Sequence, residues 1–301
     1  MNGIPSSTFF TSAAHWQWLI IFYFFIGGLA GGTYFLAALI DLFGRRGDRP
    51  LARLGYYIAF PCMLLCAPLL ILDLSRPLRF WHMLIERNTG GLIFKYWSPM
   101  SVGSWALLVF GIFSLVSFVA ALAEDDRVRW PAVKRFRLPS WLCHVVAVLG
   151  GASGFFLASY TGVLLSVTNR PIWSDTPLLG LLFIASAAST SAALMLLLAR
   201  RAGWTMPGLA RLDRMDNWMI LLELVVLTAL IISLGPVVRA WLNAWGLLLV
   251  FGVVLPGLIV PLIVAWRPGW LPRASATTAA ILVLVGGFLL RVVIVLSSET
   301  V

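Results

Sequence analysis

The chain has 301 residues, of which 60% are hydrophobic and only 11% are charged, whereas a soluble domain carries about 25% charged residues. This composition excludes a water-soluble fold, because a protein of this length cannot bury so much apolar surface in its own core, and it predicts a single membrane domain over residues 1–301. The net charge of +10 would suggest nucleic-acid binding in a soluble protein. Here most basic residues fall in short loops between apolar segments, as membrane orientation requires, so no nucleic-acid partner is expected.

Eight apolar segments are long enough to cross a bilayer, which takes about 20 residues at about 1.5 Å of rise per residue. In chain order they are Trp16–Phe43, Leu54–Leu72, Met100–Ala123, Trp141–Val167, Leu178–Ala199, Trp218–Val238, Trp241–Trp266 and Ala274–Leu296. Barrel strands are not expected, because hydrophobicity does not alternate within these segments. The predicted fold class is therefore all-α and integral to the membrane, with eight transmembrane helices.

The first predicted helix carries glycines at a spacing of four residues. They are Gly27, Gly28, Gly31 and Gly32. Small residues at this spacing let another helix approach closely, so we expect the first helix to pack tightly against neighbours.

Lys and Arg residues are distributed unevenly between the two sides of the predicted helices. The connections after the first, third, fifth and seventh helices carry fifteen of them, and the opposite connections carry six. By the positive-inside rule the first set is cytoplasmic. We therefore expect a multi-pass protein of the bacterial cytoplasmic (inner) membrane with both termini on the outer, periplasmic side.

Several polar groups fall at similar depth near the outer surface. His15 precedes the first helix, Asp73 closes the second with Arg76 three residues later, and Tyr160 and Arg291 lie in the outer parts of the fourth and eighth helices. Ionisable groups in spans are costly and mark functional sites by default. An imidazole, a phenol and a carboxylate at the lipid interface suit the carbonyls and protons of a quinone. Each also has a structural interpretation, as an interfacial histidine, a packed tyrosine or an Asp73–Arg76 ion pair.

Two further carboxylates fall in the inner half of predicted helices. Asp41 ends the first helix, and Glu223 lies about one and a half turns into the sixth. A carboxylate at the depth of Glu223 must pair or be protonated. With Arg291, these residues form a candidate proton path, although Glu223 also suits a bond to a neighbouring helix.

Haem and metal are not expected in this chain. The chain has three histidines, His15, His82 and His144. No two of them lie together at bilayer depth, where a pair of histidines could hold a haem. The three cysteines also lack partners that would complete a metal site. Because electrons could not easily cross the membrane through this chain alone, a redox role requires a partner at the surface where the quinone binds.

Four stretches form a recognisable combination of motifs. They are HWQWLIIFYFFIGGLAGGTYFLAALIDL (His15–Leu42), LDLSRPLRFWHML (Leu72–Leu84), SPMSVGSW (Ser98–Trp105) and ASYTGVLLSVTNRPIW (Ala158–Trp173). A weaker one, GGFLLRVVIV, occupies Gly286–Val295. With these motifs the chain resembles the NrfD/polysulfide reductase membrane-subunit (PsrC-like) family.

The resemblance implies two four-helix bundles without haem and a quinone, menaquinone or ubiquinone, bound near the outer surface. It also implies a ferredoxin-like iron-sulfur subunit and a molybdopterin catalytic subunit as partners. In polysulfide reductase-like members, a first-helix Asn and His and a fourth-helix Tyr contact the quinone. Here His15 and Tyr160 match, and Thr11 stands where Asn would be. Asp73 matches the acidic residue of the second-helix motif, a proton carrier, and Arg76 and Ser159 complete the expected contacts.

The sequence therefore predicts a quinone-reactive membrane anchor of a multi-subunit oxidoreductase, not active alone. Basic residues in the outer connections are expected to dock the acidic iron-sulfur partner. They are Arg79, Arg87, Lys95 and Arg170. Two alternatives remain open, a proton channel or transporter subunit without a redox role, and a passive anchor with the quinone bound elsewhere.

Overall fold

The computed structural model describes residues 16–74, 76–87, 90–125, 131–134, 139–266 and 274–299. These ranges contain eight helices that are long and apolar enough to cross a membrane. They are α1 (Trp18–Phe43), α2 (Arg49–Asp73), α3 (Pro99–Glu124), α4 (Ser140–Ser166), α5 (Leu179–Arg201), α6 (Pro207–Ser233), α7 (Ala244–Trp266) and α8 (Ala274–Ser297). Extended pairing within the described chain is limited to one isolated bridge between Ile85 and Leu92. The predicted all-α membrane fold is confirmed.

The sixth helix differs most from its predicted bounds. It covers Pro207–Ser233, whereas hydropathy placed it at Trp218–Val238. Hydropathy assigns the charged residues at its start to a loop, but they are helical, and Asp213 among them pairs with Arg200 at 2.8 Å. The helix stops early because Gly235 adopts a left-handed φ of +51°, which favours glycine, and a 3₁₀ segment, Gly235–Trp241, follows.

The helices pack as two groups of four, α1–α4 and α5–α8. α1 and α5 lie where the groups meet, and each contacts helices of both groups. They are also the two most buried of the eight helices. α1 and α5 therefore lie at the interface between two four-helix bundles, the arrangement that the family resemblance implied.

The glycines of α1 permit this central position. A Cβ atom added to Gly31 would overlap the carbonyl oxygen of Gly154 on α4. A Cβ added to Gly32 would overlap Ser191 on α5. Because neither glycine has a side chain, the α1 backbone approaches one helix of each bundle closely, as the spacing of the glycines predicted.

α7 is irregular along its middle. It is α-helical over Ala244–Leu248 and Val260–Trp266, with a π-helical segment, Leu249–Ile259, between them. Pro256 lies inside that segment and has no amide hydrogen to donate, which disturbs the regular i→i−4 bonding.

The bundle has two chemically different ends. We call the end where α1 begins and α8 ends the terminal end, and the opposite end, which carries the excess of Lys and Arg, the basic end. Four ion pairs between described residues stand at the basic end. They are Arg49–Asp41, Arg49–Glu124, Arg200–Asp213 and Arg211–Asp48.

Candidate functional site

A cavity of about 540 Å³ lies within the first bundle, among α1, α2, α3 and α4. Its wall follows α3 from Met100, next to the terminal end, to Leu115 near the middle of the helix. By helical rise this is a length of about 22 Å. The wall is mainly apolar, and its polar side chains gather toward the terminal end. They are Tyr23, Asp73, Ser104 and Tyr160.

The long side of the cavity reaches the outer surface of the bundle between α2 and α3. Leu64 on α2 and Ile112 on α3 line the cavity, and their side chains are 57% and 54% exposed. Exposed leucine and isoleucine in the middle of spanning helices face lipid. The cavity is therefore accessible to a ligand that is dissolved in the bilayer.

Tyr160 is held at the polar end of the cavity by a short hydrogen bond. It lies on α4 six residues before the end of the helix, and its hydroxyl donates to the carbonyl oxygen of Pro99 at 2.5 Å. Its ring occupies the space next to Gly103, where any Cβ would overlap the phenol. Since the hydroxyl proton is engaged by Pro99, the lone pairs of the phenol oxygen can still accept a hydrogen bond from a ligand.

Asp73 also lines the cavity, and it is the last residue of α2. It makes no ion pair with any residue that the structure describes. Leu74 is extended, with ψ of 133°, so the helix does not continue and Arg76 does not follow one helical turn later. The sequence-based pairing of Asp73 with Arg76 is therefore wrong, and the Asp73 carboxyl is available to a ligand in the cavity.

The remaining residues predicted to contact a quinone are placed differently. Arg76 is exposed and does not line the cavity. Ser159 also lies off the cavity wall, and its hydroxyl donates to the carbonyl of Phe156 at 3.2 Å. Thr11 and His15 lie outside the described residues, which begin at Trp16, itself part of the cavity wall.

Sequence reasoning missed one residue of this cavity, Tyr23. It is buried on α1 and lines the cavity, and its hydroxyl makes no hydrogen bond within the described chain. Helical spacing could have indicated it, because Trp16, Ile20 and Tyr23 recur at intervals of four and three and so share one face of a helix.

A second polar cluster lies at the contact between the two bundles. Arg291 of α8 is buried and donates to Ser186 Oγ at 3.1 Å and to the Gly287 carbonyl at 2.6 Å. Its Nε also donates to the carbonyl of Phe24, on α1, at 3.3 Å. Glu223 of α6 is buried beside Ser186 and interacts with both Ser186 and Arg291.

The three residues of the predicted proton path are therefore not all brought together. Glu223 and Arg291 meet around Ser186, and Glu223 lies in the middle of α6 rather than one and a half turns from its start, because the helix begins at Pro207. Asp41 is distant from both in the fold. It pairs with Arg49 at the basic end and accepts a bond from the Tyr56 hydroxyl at 3.2 Å.

The terminal end presents a surface of basic and aromatic side chains. Arg79, Arg87 and Lys95 are exposed there, together with the large side chains of Tyr96 and Trp97. Arg170 does not belong to this surface, contrary to the sequence-based prediction. It is only 4% exposed and lies over the ring of Trp173 at 5.9 Å.

Comparisons with known proteins agree with these motifs. The profile of the family described as "Polysulphide reductase, NrfD" matches residues 6–301. The chain is 27% identical to Protein NrfD of Escherichia coli (strain K12), over 96% of this chain and 98% of that protein. It is 28% identical to a polysulfide reductase chain of Wolinella succinogenes, over 95% of this chain and 94% of that protein. A shorter match, 27% identical, joins 35% of this chain to 22% of a selenate reductase subunit of Mesobacillus selenatarsenatis. The chain belongs to the NrfD/polysulphide reductase family.

Proposed function

We propose that this chain is the quinone-reactive membrane subunit of a multi-subunit oxidoreductase. Its relatives include proteins named as one chain of a polysulfide reductase and one subunit of a selenate reductase, which supports a membrane subunit of a reductase complex. The quinone reaction is assigned to the cavity of the first bundle. The chain is not expected to be active alone.

One observation carries this assignment, namely that the cavity opens to lipid along its side and ends in polar groups. A ligand that fits must have a long apolar part and a small head that forms hydrogen bonds, which describes an isoprenoid quinone such as menaquinone or ubiquinone. A phospholipid fits less well, because its phosphate would meet the carboxyl of Asp73 and no cationic side chain among the described residues of the cavity wall. The acid and phenol therefore favour an uncharged head with exchangeable protons.

The residues of the cavity suit proton exchange with such a ligand. When bound, the quinone/quinol pair would exchange two electrons and two protons. The phenol oxygen of Tyr160 accepts a hydrogen bond from a ligand hydroxyl while Pro99 retains the phenol proton. The Asp73 carboxyl, at the end of α2, takes up or releases a proton between the ligand and the terminal end. His15 remains the candidate for the second ligand oxygen.

Electrons require a partner at the terminal end. The charge distribution favours the periplasmic side for this end, with the basic end in the cytoplasm of a bacterium. The exposed Arg79, Arg87 and Lys95 give it a positive surface that suits an acidic protein. We assign this surface to a ferredoxin-like iron-sulfur subunit, which passes electrons to or from a molybdopterin catalytic subunit.

A proton channel or transporter without a redox role is the second candidate, and the buried Glu223–Ser186–Arg291 cluster favours it. The two functions differ in what the isolated chain does. A channel conducts in liposomes that contain only this chain, whereas the proposed subunit turns over quinone only when it is assembled with a cluster-bearing protein.

A single added methyl group tests the cavity as the quinone site. The Gly103→Ala substitution places a Cβ against the Tyr160 ring, so it displaces the phenol and narrows the polar end. We expect the purified complex to bind a quinone analogue at least about tenfold more weakly. The loss of one hydrogen bond between uncharged groups and the local overpacking each cost about 1 kcal/mol or more. The binding constant is measured by fluorescence quenching with the analogue in detergent.

Gly27→Ala is the matched control for this substitution. Gly27 is a buried helical glycine that does not line the cavity, and a Cβ there would stand 3.6 Å from the nearest atom of Tyr23, an ordinary contact. The control should bind the analogue as the parent does. Equal affinity in the Gly103→Ala and Gly27→Ala complexes would place the quinone elsewhere.

A further inference from the structure

We infer that a cleft at the basic end, between the end of α1 and the start of α6, binds an anionic phospholipid. One acyl chain of the lipid lies in the cleft, and its phosphate lies on the arginines at the rim. The inference does not depend on the quinone reaction, because this cleft and the polar end of the quinone cavity lie at opposite ends of the molecule.

The cleft is a narrow apolar slot of about 170 Å³. Its wall follows α1 from Leu36 to Phe43, about 10 Å by helical rise, and faces Leu212 and Met215 of α6. The Phe43 side chain is exposed, so the slot is open at the surface of the molecule. A slot of this shape suits a hydrocarbon chain, which buries apolar surface along its whole length.

The rim of the cleft carries an ion pair between Arg211 and Asp48. Asp48 is buried, and its Oδ2 also accepts from the Arg45 amide at 3.1 Å, so its charge is matched within the protein. Arg211 is half-exposed and pairs with Asp48 through Nη2. A guanidinium has five N–H donors in a planar fork, so the other donors of Arg211 can bind a phosphate.

Two further arginines add positive charge at this rim. Arg45 follows the end of α1 by two residues, and Arg214 follows Arg211 by three, which makes the last two neighbours on one side of α6. Arg45 and Arg214 are both exposed. Asp213 does not offset them, since it pairs with Arg200. The rim therefore combines an excess of positive charge with an apolar slot, as sites for anionic lipid head groups do.

The depth of the rim matches the head-group region of a bilayer. Trp218 lies seven residues after Arg211, two helical turns deeper on the same side of α6, and its side chain is exposed. Exposed indole rings concentrate at the membrane interface. A phospholipid at this level has its phosphate beside the arginines and its chains beside the slot.

The cleft also lies where contacts between the two bundles are few. α6 meets the first bundle mainly at the 3₁₀ turn Arg46–Asp48, and beyond this turn the cleft separates α6 from the end of α1. Side chains around an empty slot lack the dispersion contacts that a filled slot provides. A bound chain should therefore strengthen the contact between the bundles and stabilise the folded protein.

Other membrane ligands match only half of this site. A quinone has an uncharged head, which gains little from the arginines of the rim. A zwitterionic phospholipid has a suitable chain, but its own cation offsets the charge of its phosphate. An anionic phospholipid matches the slot with its chain and the rim with its phosphate.

The test is the thermal unfolding of the purified chain in detergent during titration with dioleoylphosphatidylglycerol. We expect the Tm to rise by about 5 °C at a lipid concentration of about 100 times the Kd. Dioleoylphosphatidylcholine tests the need for a net negative charge, and inorganic phosphate tests the need for the chain. Neither should change the Tm.

Two kinds of variant locate the site. The double variant Arg45→Gln with Arg214→Gln leaves the Arg211–Asp48 pair intact, and it should bind phosphatidylglycerol about thirtyfold more weakly, the contribution of two cations at a membrane surface. Leu39→Trp fills the cleft, which Leu39 lines, and should abolish the rise in Tm while the arginines remain.

Arg201→Gln with Lys134→Gln is the matched control. Both side chains are exposed at the basic end and lie outside the cleft, so the same charge is lost elsewhere. This variant should bind phosphatidylglycerol as the parent does.

Three results would overturn the inference. Equal stabilisation by phosphatidylcholine shows that the rim does not select an anion, and equal stabilisation by inorganic phosphate shows an anion site that needs no lipid chain. An unchanged response to phosphatidylglycerol in both the Arg45→Gln/Arg214→Gln and the Leu39→Trp variants places the lipid elsewhere.

Discussion

The Tyr160→Phe substitution is expected to lower quinol-linked turnover of the assembled complex by about tenfold, because a hydrogen bond that positions the reacting ligand contributes about 1–1.5 kcal/mol. The variant retains the ring against Gly103 but loses the oxygen that bonds Pro99 at 2.5 Å and faces the cavity. Turnover is measured with a water-soluble quinol analogue. Co-purification with the partner subunits establishes that assembly is intact.

Tyr57→Phe provides the matched control. The Tyr57 hydroxyl also donates to a backbone carbonyl, that of Ala121, at 2.9 Å, but it lies toward the basic end and outside the cavity. Its loss should leave turnover within about twofold of the parent, as expected for a residue remote from the chemistry. His15→Ala should lower turnover as Tyr160→Phe does. Unchanged turnover in both variants would contradict this site assignment.

The second large effect is expected at Arg291, on the stability of the chain. Arg291→Met removes the donor to Ser186, Gly287 and Phe24 and leaves Glu223 buried without a positive charge. Breaking a buried charge cluster from one side costs about 3–5 kcal/mol. We expect the free energy of unfolding to fall by about this amount, measured by thermal or denaturant unfolding of the purified protein in detergent.

Removing the Glu223 charge as well should restore part of the lost stability. In the double variant Arg291→Met with Glu223→Gln, no unpaired carboxyl remains, so stability should recover by about 1–2 kcal/mol relative to Arg291→Met. Arg79→Met, at an exposed position, is the control and should unfold as the parent does. If Arg291→Met is as stable as the parent, the cluster does not hold the two bundles together.

Hydropathy located the eight helices because each must shield its backbone from lipid with about 20 apolar residues. It failed at the start of α6, where the charged segment from Arg211 to Asp216 is helical. Helical hydrogen bonds do not require apolar side chains once the helix reaches the water interface. The pairing of Arg200 with Asp213 and of Arg211 with Asp48 supports these extra turns, and such long-range partners are not visible in a hydropathy profile.

The candidate site was predictable in part. The motifs singled out Asp73 and Tyr160, and both line one cavity. Depth along the membrane can be read from the sequence, but the direction in which a side chain points around its helix depends on which helices become neighbours. Asp41 is therefore grouped with Glu223 and Arg291 by depth alone, although the fold separates them.

The central claim is that a quinone reacts in the cavity of the first bundle, and a photoreactive quinone analogue tests it most directly. The assembled complex is irradiated with an azidoquinone, digested and mapped by mass spectrometry, with excess unlabelled quinone as competitor. We predict competed labelling of peptides that contain Asp73, Gly103 or Tyr160. Competed labelling confined to α5–α8 or to another subunit would contradict the account.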